Sequence, residues 1–243
     1  LATLSEFEHA VRDGWGCWAF GNHDVKRVAT RWSNDSRALR LYASLLMTLR
    51  GSPCFYQGEE LGLTEAKLSF EQMQDPYGIS MWPEEGGRDG CRTPMPWNAE
   101  KPNAGFSQGK PWLPVAAEHV ALSVDAQDKD SDSLLNFYRR WLNARRDLSI
   151  LWLGAIEFLS PHAQIFGFIR SSNQQRLLCV FNMSDQVCDY TLPKNHTVLS
   201  AVNVPQSISN EQIEALKAVS NPTLQLLPWQ TLFVWVEAAK ATQ

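Results

Sequence analysis

Hydrophobic and polar residues alternate in two distinct periods near the start of the chain. Leu4, Phe7, His9 and Val11 lie near one side of a short helix that Gly14-Trp15-Gly16 interrupts. WAFGNH, residues 18–23, then reads as a short buried strand whose polar end begins at Asn22. With Asp35 or Ser36 as N-cap, Ala38, Leu41, Tyr42, Leu45, Leu46 and Leu49 recur at helical spacing, and Gly51 with Pro53 marks the stop. PCFYQGEE, residues 53–60, repeats the strand pattern and again ends in polar side chains. Strand, polar end, helix, strand, polar end is the order of a repeating βα unit with a parallel sheet. Functional groups in such sheets collect beyond the carboxyl ends of the strands, so Asn22, His23 and Asp24 are expected on one rim with Glu59 and Glu60.

Residues 58–130 are rich in Pro, Gly and polar side chains, with GGRDGCRTPMPWN near the middle, and are too long for an ordinary strand-to-helix connection; a functional lid or wall is expected. Ser131 to Asp147 forms another amphipathic helix, with Leu134, Phe137, Tyr138, Trp141 and Leu142 on its apolar side. The period then shortens. AQIFGFIRSS, RLLCVFNMS, CDYTLP and TLFVWVE are β-rich runs separated by turn residues, with one helical run from Glu211 to Val219, a pattern that suits an all-β sandwich. A domain boundary near residue 150 follows.

Composition narrows the function class. A hydrophobic fraction of 44% over 243 residues suffices for a large core, in one domain or two. A net charge of -4 and a pI near 5.8, with no cluster of Lys and Arg, give no electrostatic basis for nucleic acid and leave neutral solutes open. Ten Trp lean toward sugars, whose pyranose faces suit flat apolar rings, although any single Trp is first a filler of core volume. The cysteines at 17, 54, 91, 179 and 188 lack CxxC spacing and read as buried thiols of a reducing compartment, neither a disulfide framework nor a zinc site. No apolar stretch approaches bilayer length and LATLSEFEHAVRDGW lacks the features of a signal peptide, so no membrane partner and a cytoplasmic location are expected. The chain starts at Leu1 rather than Met and reads as a piece of something longer.

An Asp beside a His at a strand end suits a metal ligand pair, a base with its partner, or hydrogen-bonding groups for hydroxyls; alone it is also what a satisfied surface pair looks like. Arg27 and Arg31 close behind, and Glu59 and Glu60 on the same rim, add weight to a chemical role. The other histidines, at 9, 119, 162 and 196, are scattered through unrelated contexts, so a metal is discounted and no cofactor is expected.

GNHDVKRVATRW, the helix after it, and GSPCFYQGEELGLTE resemble the last two βα units of the α-amylase superfamily. RDGCRTPMPWN resembles its α-glucosidase and oligo-1,6-glucosidase branch, glycoside hydrolase family 13. Order, spacing and the β-rich tail extend the resemblance over essentially the whole chain. It implies an α/β fold class: residues 1–150 form the end of a (β/α)8 TIM barrel, about its last two βα units with a long loop, and residues 151–243 an all-β sandwich C-terminal domain. It also implies retaining hydrolysis of α-glucosidic bonds, with a carboxylate nucleophile and a carboxylic acid about 5 to 5.5 Å apart. By the same match Asp24 is the catalytic residue of this chain, gripping the sugar's secondary hydroxyls more tightly as charge grows on the ring. His23 would donate to hydroxyls beside it, and Arg92 would hold the non-reducing end of the glucose. Arg27 joins the substrate-binding set by stiffening the rim or lining the entrance, whereas Arg88, Asp89, Glu59 and Glu60 are expected in salt bridges of the loop and barrel end.

In that family the nucleophile Asp and acid Glu end the fourth and fifth barrel strands, and this sequence has no counterpart of either, beginning at about the seventh. Two strands of eight cannot close a barrel. The expected partners are therefore the missing N-terminal half of the barrel and an α-glucoside or oligosaccharide substrate, and the isolated chain is expected to hydrolyse nothing. The alternative class is a non-catalytic sugar-binding or scaffold protein, including the glucosidase-like ectodomain of amino-acid transporter heavy chains. Against it, Trp229 and Trp235 lie in strand-like apolar contexts, and the NHD and RTP motifs are intact. An exo-acting enzyme on short oligosaccharides or sucrose-like substrates is expected, because the long loop would wall off the first subsite. Hydrolysis and transglycosylation share one glycosyl-enzyme intermediate.

Overall fold

The computed structural model describes residues 2–238 apart from 174, 195, 207, 220 and 221, so the end of the tail expected to belong to the β domain, 239–243, lies outside the described residues. Its elements run α1 (Ala2–Val11), β1 (Cys17–Ala19), α2 (Val28–Arg31), α3 (Ser36–Thr48), β2 (Ser52–Cys54), α4 (Pro76–Met81), α5 (Ala117–Val120), α6 (Val124–Lys129), α7 (Leu134–Asp147) and α8 (Ser149–Leu153). Beyond these come β3 (Ala155–Phe158), β4 (Ile165–Ser171), β5 (Arg176–Asn182), β6 (Cys188–Thr191), β7 (His196–Ala201), α9 (Asn210–Lys217), β8 (Thr223–Leu226) and β9 (Thr231–Ala238). The helices read from apolar spacing are α1, α3, α7 and α9. Contacts divide the chain into two units, one of Leu1–Trp18, Leu41–Pro53 and Arg140–Gln243, the other of Ala19–Arg40 and Cys54–Arg139.

The first unit is built on an antiparallel sheet in the order β3-β4-β5-β9-β7, with β6 and β8 as a separate antiparallel pair. Register sorts the side chains by face. Ile169, Leu178, Val180, Val234 and Val236 share one face and pack with Ile213 and Leu216 of α9 and Leu226 of β8. Ser209 and Gln212 close a capping box at the start of α9. Phe166, Phe168, Phe181 and Phe233 share the other face, where the Trp141 ring of α7 meets Phe233 at 5.2 Å and its indole N–H donates to Ser44 Oγ of α3 at 2.9 Å. Burial on both faces explains why these strands read as near-continuous apolar runs.

A clasp of arginines ties the helices to this sheet. Arg170, 0% exposed, donates to the carbonyls of Thr48 at 2.6 Å, Leu151 at 2.8 Å, Gly154 at 2.7 Å and Ala155 at 3.2 Å. Arg145, also buried, donates to the Gly51 carbonyl at 2.6 Å and to that of Met47. Most of these carbonyls end α3 and α8, where the helix dipole leaves partial negative charge.

The strands WAFGNH and PCFYQGEE form, but shorter and shifted, as β1 and β2, which pair in a two-stranded sheet. Such a sheet covers only the face carrying Trp18 and Pro53, so Cys17 and Cys54, expected to be buried, are exposed. Cys91, Cys179 and Cys188 are buried, and all five thiols are free.

In the second unit Leu61, Leu63, Met95 and Leu135 pack with Leu122 and Val124. The long stretch is not without structure: it holds α4, α5, α6 and several 3-10 turns. Glu59 and Glu60 sit in one of these turns rather than at a strand end, and Gly58 and Gly62 flank it with φ of 88° and 73°, which only glycine adopts freely. No helix among the described residues is long and apolar enough to cross a membrane.

These elements make an α/β fold: the end of a (β/α)8 barrel with a long loop, then a β-rich C-terminal part.

Candidate functional site

The second unit brings the motif residues together just after β1. The side-chain oxygen of Asn22 accepts the Asp24 amide at 2.8 Å, a local turn that ends the extended run. Asp24 is left with its side chain 51% exposed and His23 with 67%. Asp24 Oδ1 accepts from Arg92 Nη2 at 3.0 Å and from Arg88 Nη1 at 3.2 Å, while Oδ2 lies 3.3 Å from His23 Nε2. Arg92 Nε also donates to the His23 carbonyl at 2.8 Å, so this guanidinium grips both the carboxylate and the backbone that carries it.

Arg88 is held from behind. Its Nε and Nη2 donate to the two oxygens of Asp75 at 2.9 and 2.7 Å, and its backbone amide donates to the same carboxylate at 2.9 Å. Asp75, whose side chain is 0% exposed, is also the N-cap of α4, accepting from the Tyr77 amide. The hydrogen bonds from Arg88 hold the Asp75 carboxyl well below the usual carboxylate range, and Asp75 in turn pushes the guanidinium further up. Buried Asp89 fixes the backbone beneath, its Oδ2 accepting the amides of Gln74 at 2.6 Å and Asp75 at 2.7 Å. QDPYG and GGRDG can close this tightly because a Cβ on Gly78 would stand 2.8 Å from the Gly87 Cα.

Arg27 lies elsewhere. It is 2% exposed, with Nη1 donating to the Gln57 carbonyl at 2.7 Å and its guanidinium 5.5 Å from the centre of the Tyr56 ring. Its backbone amide donates to Glu65 Oε2 at 3.0 Å, and burial lowers its pKa. Tyr56 in turn donates its hydroxyl to the Cys91 carbonyl at 3.0 Å, tying the residues after β2 to the RTP segment.

The expected salt bridges of Glu59 and Glu60 do not form among the described residues. Glu60 Oε2 accepts the Gly58 amide at 2.8 Å, and Glu59 Oε1 has no hydrogen-bond partner among the described residues. Burial pushes Glu59 up to about 7. The 3-10 turn directs both side chains at backbone and protein interior rather than at a cation. Arg88 does enter salt bridges, with Asp75 and with Asp24, while Asp89 binds amides.

His23, Asp24 and Arg92 therefore converge, and Arg27 stands apart from them. Arg88 reaches the same carboxylate, and Asp75 behind it was not foreseen; Asp75-Pro76 is a helix-start signature, which says nothing of a partner thirteen positions on. A cleft of about 500 Å³ opens beside Asp24 and Arg88, lined also by Lys26, Glu65, Tyr77 and Glu85. An exposed carboxylate flanked by imidazole and guanidinium donors can hold vicinal hydroxyls and can stabilise positive charge growing nearby. No group of three or more His, Cys, Asp or Glu that could hold a metal ion occurs among the described residues.

Comparison with known proteins gives the geometry a context. The family described as alpha amylase, catalytic domain, matches residues 2–154. The chain is 48% identical over 196 residues to a probable alpha-glucosidase of Rhizobium meliloti strain 1021, covering 79% of this chain and 35% of that protein. It is 31% identical over 224 residues to a probable oligo-1,6-glucosidase 2 of Bacillus subtilis strain 168, covering 83% and 40%. The crystal structure of an alpha-glucosyl transfer enzyme, XgtA, superposes with a TM-score of 0.84 at 39% identity, over 97% of this chain and 43% of that one. The chain thus spans well under half the length of each.

Proposed function

This chain belongs to the alpha-amylase catalytic-domain family, glycoside hydrolase family 13, and from that premise we propose that it supplies the sugar-gripping C-terminal portion of a retaining α-glucosidase acting on short oligosaccharides or sucrose-like substrates. The observation that carries this reading is the convergence of His23 and Arg92 on the half-exposed Asp24. Asp24 accepts the secondary hydroxyls of the glucosyl ring, and its charge steadies the ring as the anomeric centre becomes cationic. His23 donates to the same hydroxyls, and Arg92, which is tied to both residues, holds the non-reducing end of the glucose. Arg27 acts beneath the rim, stiffening the residues after β2 through Gln57 and Tyr56.

Residues 1–150 are read as barrel and 151–243 as the β domain, a division supported by the end of the family match at residue 154. The nucleophile and acid are assigned to an N-terminal barrel half outside this sequence, consistent with the 35% and 40% of the curated relatives that it spans. Free thiols suit the cytoplasm. Likeness to an alpha-glucosyl transfer enzyme favours sugar hydroxyls as acceptors alongside water.

The test is turnover of p-nitrophenyl α-glucoside. The purified chain alone is expected to be inactive, and co-expression with the N-terminal barrel half is expected to give turnover that Asp24→Asn lowers about a thousandfold. Turnover by the chain alone, abolished by that substitution, would refute the split. Failure of the assembled protein to act on any α-glucoside would refute the glucosidase reading.

A further inference from the structure

We infer that Asp75 and Arg88 are positioning residues: a relay running from a buried carboxylate through one guanidinium fixes both the orientation and the net charge of the Asp24 site. The inference rests on the reading of Asp24 as the sugar-gripping carboxylate.

The two guanidiniums on Asp24 Oδ1 are anchored differently. Arg92 is tied to the carbonyl of His23, one residue from the carboxylate it grips, so the two move as one body. Arg88 is tied to a different part of the chain. Both prongs of its fork are taken up by Asp75, which leaves Nη1 to reach Asp24. Asp75 cannot follow Arg88 if it moves, because the Asp89 carboxylate pins its amide and its own side chain caps α4. Arg88 is thereby a fixed strut between the long loop and the residues after β1. Lysine could not replace it, since a single ammonium cannot fill a carboxylate fork and also bridge to a second acid.

Charge follows the same path. Asp24 and Arg92 cancel; adding Arg88 alone would leave the cluster with one excess positive charge beside a ring that turns cationic. Asp75 removes that excess. A fully shielded acid that touches no sugar thus balances the charge of Arg88 within this four-residue cluster, and leaves Asp24 free to attract positive charge.

The experiment is a double-mutant cycle in the assembled protein, using Asp75→Asn, Arg88→Gln and the pair together, with kcat and KM on p-nitrophenyl α-glucoside and unfolding temperature measured for each. Asp75→Asn is expected to lower kcat about tenfold to a hundredfold with KM changed less than about threefold, because the excess charge opposes the transition state and not the neutral substrate. The pair restores neutrality and is expected to recover at least part of that kcat. A purely structural role predicts the reverse, a pair worse than either single variant, with kcat loss tracking unfolding temperature; that result, or kcat within twofold of the parent in all three, overturns the relay.

Hydrogen exchange on the 243-residue chain alone gives a second reading independent of turnover. Asp75→Asn should speed exchange at the Asp24 amide while leaving the β5 amides unchanged, and an unaltered Asp24 rate overturns the strut. An assembled parent protein with no turnover, together with faster exchange in the variant, would sink the glucosidase reading and leave the strut standing.

Discussion

Two regions of this molecule use the same side chain in opposite ways. In the first unit Arg145 and Arg170 are buried, donate to backbone carbonyls, and form no ion pair with a carboxylate among the described residues. Burial, with the nearby charges of Arg145 and Arg50, pulls Arg170 down to about 10, and its donors end on carbonyls at the ends of α3 and α8, where the helix dipole leaves partial negative charge. In the second unit Arg88 gives its fork to the Asp75 carboxylate, and Arg88 and Arg92 each reach Asp24, a carboxylate half open to water. The difference teaches where to look for chemistry. A guanidinium whose donors end on helix carbonyls is scaffold, whereas guanidiniums converging on an exposed acid hold a group that something else is meant to meet.

The largest effect that could break this contrast is Arg170→Met. Four carbonyls would lose their donor in a site closed to water, so unfolding in urea should show a loss of about 3–5 kcal/mol. A loss under about 1 kcal/mol would mean the clasp is ornamental and the comparison empty. Asp24→Asn is the mirror image. It should leave stability within about 0.5 kcal/mol, since the side chain is half exposed, while cutting turnover in the assembled enzyme about a thousandfold. If instead the urea midpoint fell sharply, Asp24 would be a structural ion-pair partner like any other.

Arg27 lies between the extremes and sharpens the boundary. It is buried like Arg170, yet its Nε and Nη2 have no hydrogen-bond partner among the described residues. Arg27→Met removes one bond to the Gln57 carbonyl and the contact with Tyr56, so about 2 kcal/mol of stability should be lost, less than at Arg170. Equal losses at the two positions would show that the number of satisfied donors does not set the cost.

The contrast also explains what could be read in advance. Helices α3 and α7 were legible because Leu41, Leu45 and Leu46, or Phe137 and Trp141, repeat at the helical period and face a core that rewards it. Strands β4, β5 and β9 were legible because both their faces are buried, whereas β3, β7 and β8, with one face largely open, left no apolar run to read. The Cys17 and Cys54 runs misled because apolar content signals burial only where a neighbouring layer exists to cover it. His23, Asp24 and Arg92 were found through their motifs, but Asp75 was not, because its tie to Arg88 is made by loop closure across α4, which no periodicity records. Glu59 was misread for a related reason: strand alternation placed it on a rim, and the glycine-flanked turn carried it inward.

That residue supplies the smallest prediction, and it probes the contrast from the acid's side. Asp75 has an arginine and is held low; Glu59 forms no ion pair among the described residues and burial lifts it to about 7 from 4.5. Between those two values the folded chain keeps a proton that the unfolded chain has released, so its contribution to stability is full below about pH 4.5 and is lost as pH rises through 7. Glu59→Gln keeps the shape and removes the titration. It should therefore stabilise the chain at pH 8, by about 1 kcal/mol because the carboxyl is not fully shielded, and leave it unchanged at pH 4. Asp75→Asn should slope the other way, since a depressed acid contributes above its unfolded value of 3.8 and loses that contribution as pH falls. Thermal melts of the two variants and the parent across pH 2 to 8 decide the matter, the Asp75→Asn difference changing below pH 3.8 and the Glu59→Gln difference between 4.5 and 7; differences that run parallel over the whole range would show that an arginine partner makes no difference to how this protein tolerates a buried carboxylate.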